Sequence, residues 1–283
     1  MLNQSLSVKR KHYEARMKAV MLLSVGLTAA LVLFLLIYVL AKGIPNITWE
    51  LLSTSPSYLT ERIGILPDIL NTLYIVIATL LIVLPLGVGA AIYLTEYAKR
   101  GSKLVKLVRM TAETLSGIPS IIYGLFGSLF FVVALKMGLS LLSGALTLSI
   151  MVLPTIMRTT EEALLAVPDS YREGSFGLGA GRLRTTFKVV LPSAIPGILS
   201  GVILAIGRIV GETAALMYTS GTVAKVAGLM DSGTTLALHM YKQASEGLYL
   251  NEAYATSVVL LALVLLINLL SAKAAKLMVK GRG

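Results

Sequence analysis

Two charges stand where charges are expensive. Arg208 and Glu212 lie four residues apart in a run that is otherwise uncharged from Val189 to Ser220. An ionisable side chain inside a bilayer either pairs or faces a water-filled path. On one helix the i, i+4 spacing lets these two pair with each other. Counting from Pro192 at 1.5 Å per residue puts Arg208 about 24 Å along the helix, past mid-membrane. Other polar residues border apolar runs. Asn71 and Thr72 open one, where helix capping is the plain role. Thr114, Ser116 and Ser120 flank Pro119, where a helix break would free hydroxyls and backbone groups. Arg158 ends another run, as an interface anchor or as a residue of the inner mouth. Glu113 lies at a boundary it can snorkel to. His12 and His239 are isolated, without metal-ligand spacing, and His239 reads as a loop residue. The chain has no cysteine, which excludes thiol catalysis, disulfides and Cys-ligated metals. No G-x-x-x-x-G-K-[ST] occurs, so no nucleotide-binding loop of that type is encoded.

The elements that must carry these residues follow from composition. Only 14% of the 283 residues are charged, and the mean hydropathy is +0.82. A soluble domain has about 25% charged residues. Six blocks contain no Asp, Glu, Lys or Arg: Ala19–Ala41, Ile69–Thr95, Thr114–Leu135, Met137–Met157, Val189–Gly207 and Ala253–Ala272. Each is near or above the ~20 residues that cross a hydrocarbon core. The expected fold is therefore all-α and integral to the membrane, with six transmembrane helices. The fifth is expected to continue to about Ser220, and the third to kink at Gly117-Ile118-Pro119-Ser120. Asp68 is expected to cap the second. Trp49 and Tyr58 are headgroup anchors in the first outer loop. An amphipathic stretch is expected near Leu236–Tyr241.

The net charge of +11 reports topology rather than nucleic-acid binding. With a cytoplasmic N-terminus, the clusters Lys9–Lys18, Lys99–Arg109, Arg158–Lys188 and Lys273–Arg282 all fall inside the cell. They hold nineteen of the 25 basic residues. Both termini are thus expected in the cytoplasm. Ala19–Ala41 is longer than a signal-peptide core and lacks a small-x-small end, so it reads as a span. The expected organisation is a basic leader (1–18), a first span with its outer loop (19–66), a core (67–278) with a patterned cytoplasmic loop at about 158–192, and a short tail (279–283). No internal repeat is visible.

That loop carries the most information. Pro168 ends one helix, Asp169 or Ser170 can cap the next, and a short helix from about Tyr171 to Leu178 would end in glycines. Leu191-Pro192 marks the return to the membrane. Glu173-Gly174-Ser175 is followed by three residues and Gly179, then nine residues, Val189, Val190 and Leu191-Pro192. This resembles the EAA loop of binding-protein-dependent ABC importers: Glu-Ala-Ala, three residues, Gly, nine residues, Ile, one residue, Leu-Pro. Gly174, Ser175 and Val189 depart from that pattern. Gly174 costs roughly 1 kcal/mol of helix propensity against alanine.

Three more stretches narrow the resemblance: Leu115–Gly127, Leu153–Leu164 and Gly207–Ala214. With the loop they are similar to the phosphate-specific permeases of the PstA type, over about residues 65–220. The resemblance implies a type I ABC importer transmembrane domain with a cytoplasmic coupling helix. Tyr171, Phe176 and Leu178 would be apolar contacts with an ATPase. Arg172, Glu173, Arg182 and Arg184 would form a polar rim, and Gly179, Leu191 and Pro192 would anchor the loop. The chain itself would need no cofactor, since ATP and Mg would be bound by a PstB-like ATPase dimer. The other partners implied are a PstC-like permease and an extracytoplasmic phosphate-binding protein, all at the bacterial cell membrane. Arg208 would meet phosphate in transit, balanced by Glu212, with Arg158 and Ser120 further along the path. Another oxyanion such as molybdate or sulfate is the alternative substrate. An ion-coupled secondary transporter is the alternative of a different class.

Overall fold

The computed structural model describes residues 8–56, 63–99, 101–247 and 249–280, with side chains described between Tyr13 and Lys273. Tyr58, the His12 side chain and the last three residues of the tail lie outside that description. Twelve α-helices run through the described residues. α1 (Val8–Gly43) joins the expected leader and first span into one continuous helix. α2 (Trp49–Ser53) lies in the segment between the first two spans, with Trp49 80% exposed. α3 (Leu66–Ile92) ends in a wide π turn, Tyr93–Tyr97. α4 (Lys103–Ser116) and α5 (Ser120–Gly127, continued by Ser128–Ala134) follow. Then come α6 (Leu141–Leu165), α7 (Asp169–Gly177), α8 (Arg182–Thr185), α9 (Leu191–Val210), α10 (Ala214–Thr219), α11 (Leu236–Glu246) and α12 (Leu250–Lys280).

Five helices are long and apolar enough to cross a membrane, and a sixth crossing results if α4 and α5 count as one bent span. The expected kink in the third span is a full break: α4 and α5 meet at 101° around Gly117–Pro119. Proline and glycine remove the interior hydrogen bonds there. The Tyr123 hydroxyl donates to the Leu115 carbonyl across the bend at 2.7 Å. α4 is helical from Lys103, so most of the basic stretch Lys99–Arg109 belongs to a helix.

α6 is the shaft of the bundle. Leu141, Ala145, Leu148, Val152 and Ile156 recur at three- and four-residue steps and are essentially inaccessible, which is the face of a helix buried along its length. α3, α9, α5 and α4 all pack on it. α9 approaches through small residues. A Cβ at Gly201 would collide with the Thr159 side chain, one at Gly197 would meet the Ala163 methyl, and Ala205 is fully buried. This is the close approach that small-xxx-small stripes allow. α1 stands outside the bundle against α12, where Gly43 touches the Tyr254 backbone and the Tyr38 ring meets the Tyr254 ring edge-on at 6.0 Å.

Four expectations change here. The fifth span does not run to Ser220: α9 stops at Val210, Gly211 caps it, and α10 restarts at Ala214. The return to the membrane does not begin at Leu191-Pro192. Helix resumes at Arg182 and continues through a π turn, Thr186–Val190, into α9. The widened turn precedes Pro192, whose nitrogen cannot donate. Asp68 does not cap α3. It sits in the first turn, fully buried, with Oδ2 3.2 Å from His239 Nδ1 on α11. His239 is thus a packed helical residue rather than a loop one. Burial, helped by the charge of Lys242, pushes its imidazole down to about 4.

Candidate functional site

The first candidate site is built on α7. Pro168 takes the N-cap position, and no side chain caps the helix. Asp169 instead lies in the first turn, where a carboxylate offsets the helix dipole. At the other end the Ala180 N–H donates to the Ser175 carbonyl at 3.1 Å and the Gly179 N–H to Phe176 at 2.9 Å. That is a Schellman stop, and it requires a left-handed residue after the C-cap. Gly179 supplies it at φ +83°. The spacing from Glu173 to Gly179 is therefore the second half of the helix plus its terminator.

α7 buries none of its residues. Tyr171, Phe176 and Leu178 stand 52%, 47% and 91% exposed, an apolar set facing outward. Glu173, Arg182 and Arg184 are exposed around it. Leu183 and Phe187, also exposed, extend the same surface. The spacing pattern had drawn no notice to them. The Arg182 guanidinium lies 5.8 Å from the centre of the Tyr97 ring. Leu191 packs inward on the core beside Val190 and Ala194, and Pro192 is half-buried, so these two anchor α9 rather than face outward.

Arg172 is not on the rim. Its side chain is 16% exposed and holds Glu96, whose side chain is 8% exposed, at 2.7 Å. That carboxylate raises the already high Arg172 further, so the guanidinium stays charged. Glu96 was not singled out in the sequence, because no local spacing links positions 96 and 172.

The intramembrane site sits at the α9–α10 break. With the helix interrupted at Gly211, the i, i+4 geometry of Arg208 and Glu212 is gone. No salt bridge joins Arg208 to any carboxylate among the described residues. Glu212 is 8% exposed, and its Oε1 accepts the Ala215 N–H at 3.1 Å. Each charge is thus met by a helix end. Arg208 sits in the last turn of α9, the negative end of its dipole, and Glu212 precedes the N–H groups of α10. Arg208 is half-buried.

A cavity of about 450 Å³ opens between α4 and α6, lined among others by Arg109, Glu113, Ser116, Arg158, Glu161 and Glu162. Arg158 Nε donates to Glu162 Oε1 at 3.1 Å, and Arg109 pairs with the buried Glu161. The structure thus gathers Arg158 and Ser116 here, while Arg208, Glu212 and Ser120 are not in the lining. The Ser116 and Thr114 hydroxyls donate to the carbonyls of Glu113 and Met110 on their own helix. Ser120 is half-buried at the first position of α5. Asn71 and Thr72 tie α3 to the segment that precedes α11 and to the first residue of α11. The Asn71 amide donates to the Lys225 and Thr234 carbonyls and accepts from the Ala227 N–H, while the Thr72 hydroxyl accepts from the Leu236 N–H.

The family described as "Binding-protein-dependent transport system inner membrane component" matches residues 83–281. The chain is 39% identical over 200 residues to the "Probable ABC transporter permease protein YqgI" of Bacillus subtilis (strain 168), covering 69% of this chain and 68% of that one. It is 35% identical over 218 residues to "Phosphate transport system permease protein PstA 2" of Mycobacterium tuberculosis (strain CDC 1551 / Oshkosh), covering 77% and 71%. In fold it is similar to a chain of a bacterial alginate ABC transporter crystallised with an alginate-bound periplasmic protein. That match has a TM-score of 0.69 and 15% identity, over 94% of this chain and 98% of that one.

Proposed function

Because this chain belongs to the family of binding-protein-dependent transport system inner membrane components, we propose that it is the permease half of an ATP-driven importer whose substrate is inorganic phosphate. It is a membrane subunit of an ABC importer, and ATP hydrolysis belongs to a separate chain. On this reading its partners are a PstC-like permease, a PstB-like ATPase dimer that binds ATP and Mg, and an extracytoplasmic phosphate-binding protein. Both termini lie in the cytoplasm. The α7 face made of Tyr171, Glu173, Phe176 and Leu178 enters a cleft on the ATPase. Closure of the ATPase dimer then moves α7, and with it α6 and α9.

The observation that carries the phosphate reading is Arg208. It is a guanidinium in the last turn of α9, placed at a helix break and left without a carboxylate partner among the described residues. A planar fork of donors matches an oxyanion bidentately. Transporters use the ends of broken helices to hold charged solutes. The relatives whose names specify phosphate transport support the same reading. Arg158, held by an exposed Glu162 that an anion can displace, is a second contact near the inner mouth.

Reconstitution of this chain with the ATPase, the sister permease and the binding protein tests the reading. Phosphate-loaded binding protein should stimulate ATP hydrolysis. Stimulation by molybdate or sulfate with no response to phosphate would replace the substrate.

A further inference from the structure

Glu96 stands in the π turn that ends α3, 76 residues before the helix it touches. Arg172 Nη2 donates to its Oε1 at 2.7 Å, and Nε to Oε1 and Oε2 at 3.2 and 3.4 Å. The same guanidinium donates from Nη2 to the Leu164 carbonyl at 2.9 Å and from Nη1 to the Val167 carbonyl at 2.8 Å. Its last contact is Asp169 Oδ1, 3.2 Å from Nη1. One planar cation therefore joins three bodies: the tail of α3, the terminal carbonyls of α6 and the first turn of α7. The fork geometry fixes the angle as well as the distance, which a lysine cannot do.

α7 has few other holds. It buries no residue, and its further side-chain link is the 2.8 Å Ser175–Thr185 hydroxyl pair toward α8 and α9. α6 and α9 are connected to α7 through the chain itself. α3 is not. Its attachment to α7 runs through Glu96 and Arg172. At its far end α3 carries Asn71 and Thr72, which bind the backbone of the outer segment at Lys225, Ala227, Thr234 and Leu236. A continuous helix thus has a charged clamp on the coupling helix at one end and a hydrogen-bonded clamp on the outer segment at the other.

We infer that Glu96 is a positioning residue for energy coupling: through Arg172 it makes α3 a second rod that carries the movement of α7 to the outer face. This rests on α7 being the ATPase docking helix and is independent of which solute is carried. Coupling between distant sites travels through such contiguous contacts when both ends bias one rigid element.

The test uses the four-component complex in proteoliposomes, with phosphate and its binding protein inside the assay. Phosphate uptake and ATP hydrolysis are measured on the same vesicles. Glu96→Gln keeps the shape and removes the charge. It should assemble and hydrolyse ATP, yet import about five-fold less phosphate per ATP, a change of the size single contacts along a coupling route produce. A merely structural role would lower the amount of complex and leave that ratio alone. Arg172→Lys, which keeps the charge and loses the fork, should lower the ratio alike and serves if Glu96→Gln fails to assemble. The double variant should be no worse than either single one, because both cut one connection. A wild-type ratio in assembled Glu96→Gln or Arg172→Lys complexes, or additive losses in the double variant, overturns the inference. A wild-type complex that ignores phosphate overturns the substrate reading instead, and the ratio is then read with the solute that does stimulate it.

Discussion

At the residue scale the sequence placed two charges in one span and suggested that they neutralise each other. The structure separates them by a helix break and gives each a helix end. Opposite consequences follow for the two positions. Arg208→Glu should abolish phosphate uptake while the complex still assembles, because it sets a repelling charge in the path. Uptake at the wild-type rate in that variant would remove Arg208 from the pathway. Glu212→Gln should leave uptake intact, since an amide oxygen still accepts the Ala215 N–H. Glu212→Ala should destabilise the chain by about 1–2 kcal/mol through the unsatisfied buried donor. A thermal unfolding series on the purified subunit complex separates the two. If Glu212 were the counter-charge to Arg208, Gln would instead change transport and leave stability alone.

At the element scale, α7 shows how much of a short helix is set by its end. Gly179 has φ +83°, so Gly179→Ala should strain the stop by about 1 kcal/mol and weaken retention of the ATPase during purification. Gly174 has the opposite expectation. A Cβ there meets nothing within 4 Å, so Gly174→Ala should stiffen the helix by roughly 1 kcal/mol. The ATPase should bind at least as tightly, and a weaker interaction would show that the docking cleft needs the missing methyl. The crossing of α9 on α6 is less forgiving. Gly201→Leu drives a side chain into Thr159, and size-exclusion chromatography should show loss of the assembled complex.

At the scale of the whole molecule, the arrangement is a shaft, α6, with helices packed around it and α1 held at the margin by α12. The orientation proposed for this bundle is open to a direct measurement, since the chain has no cysteine of its own. Ser170 on α7 and Ser245 on α11 are both exposed. With Ser170→Cys, a membrane-impermeant maleimide should react only from the cytoplasmic side, and with Ser245→Cys only from the outer side. Labelling of both from one side would refute the topology.

The sequence by itself determined the class of fold and the position of the coupling loop. Both rest on local physics. A run of about 20 uncharged residues must be helical in lipid because its backbone has no other partner. A Glu-to-Gly spacing that matches a helix and its left-handed terminator is written in consecutive residues. The break at Pro119 was likewise visible, though not its 101° angle, because proline removes a hydrogen bond without saying where the freed chain goes. What only the tertiary structure decided involves residues far apart in the chain. Arg172 turns inward because Glu96 lies beneath it. Asn71 reaches a loop more than 150 residues away, and Asp68 meets His239 instead of capping α3. The fate of Arg208 belongs to the same group, for an i, i+4 pair exists only if the helix continues. Gly211 and Glu212 show that it does not, because α10 is drawn aside to pack on α5 and α6.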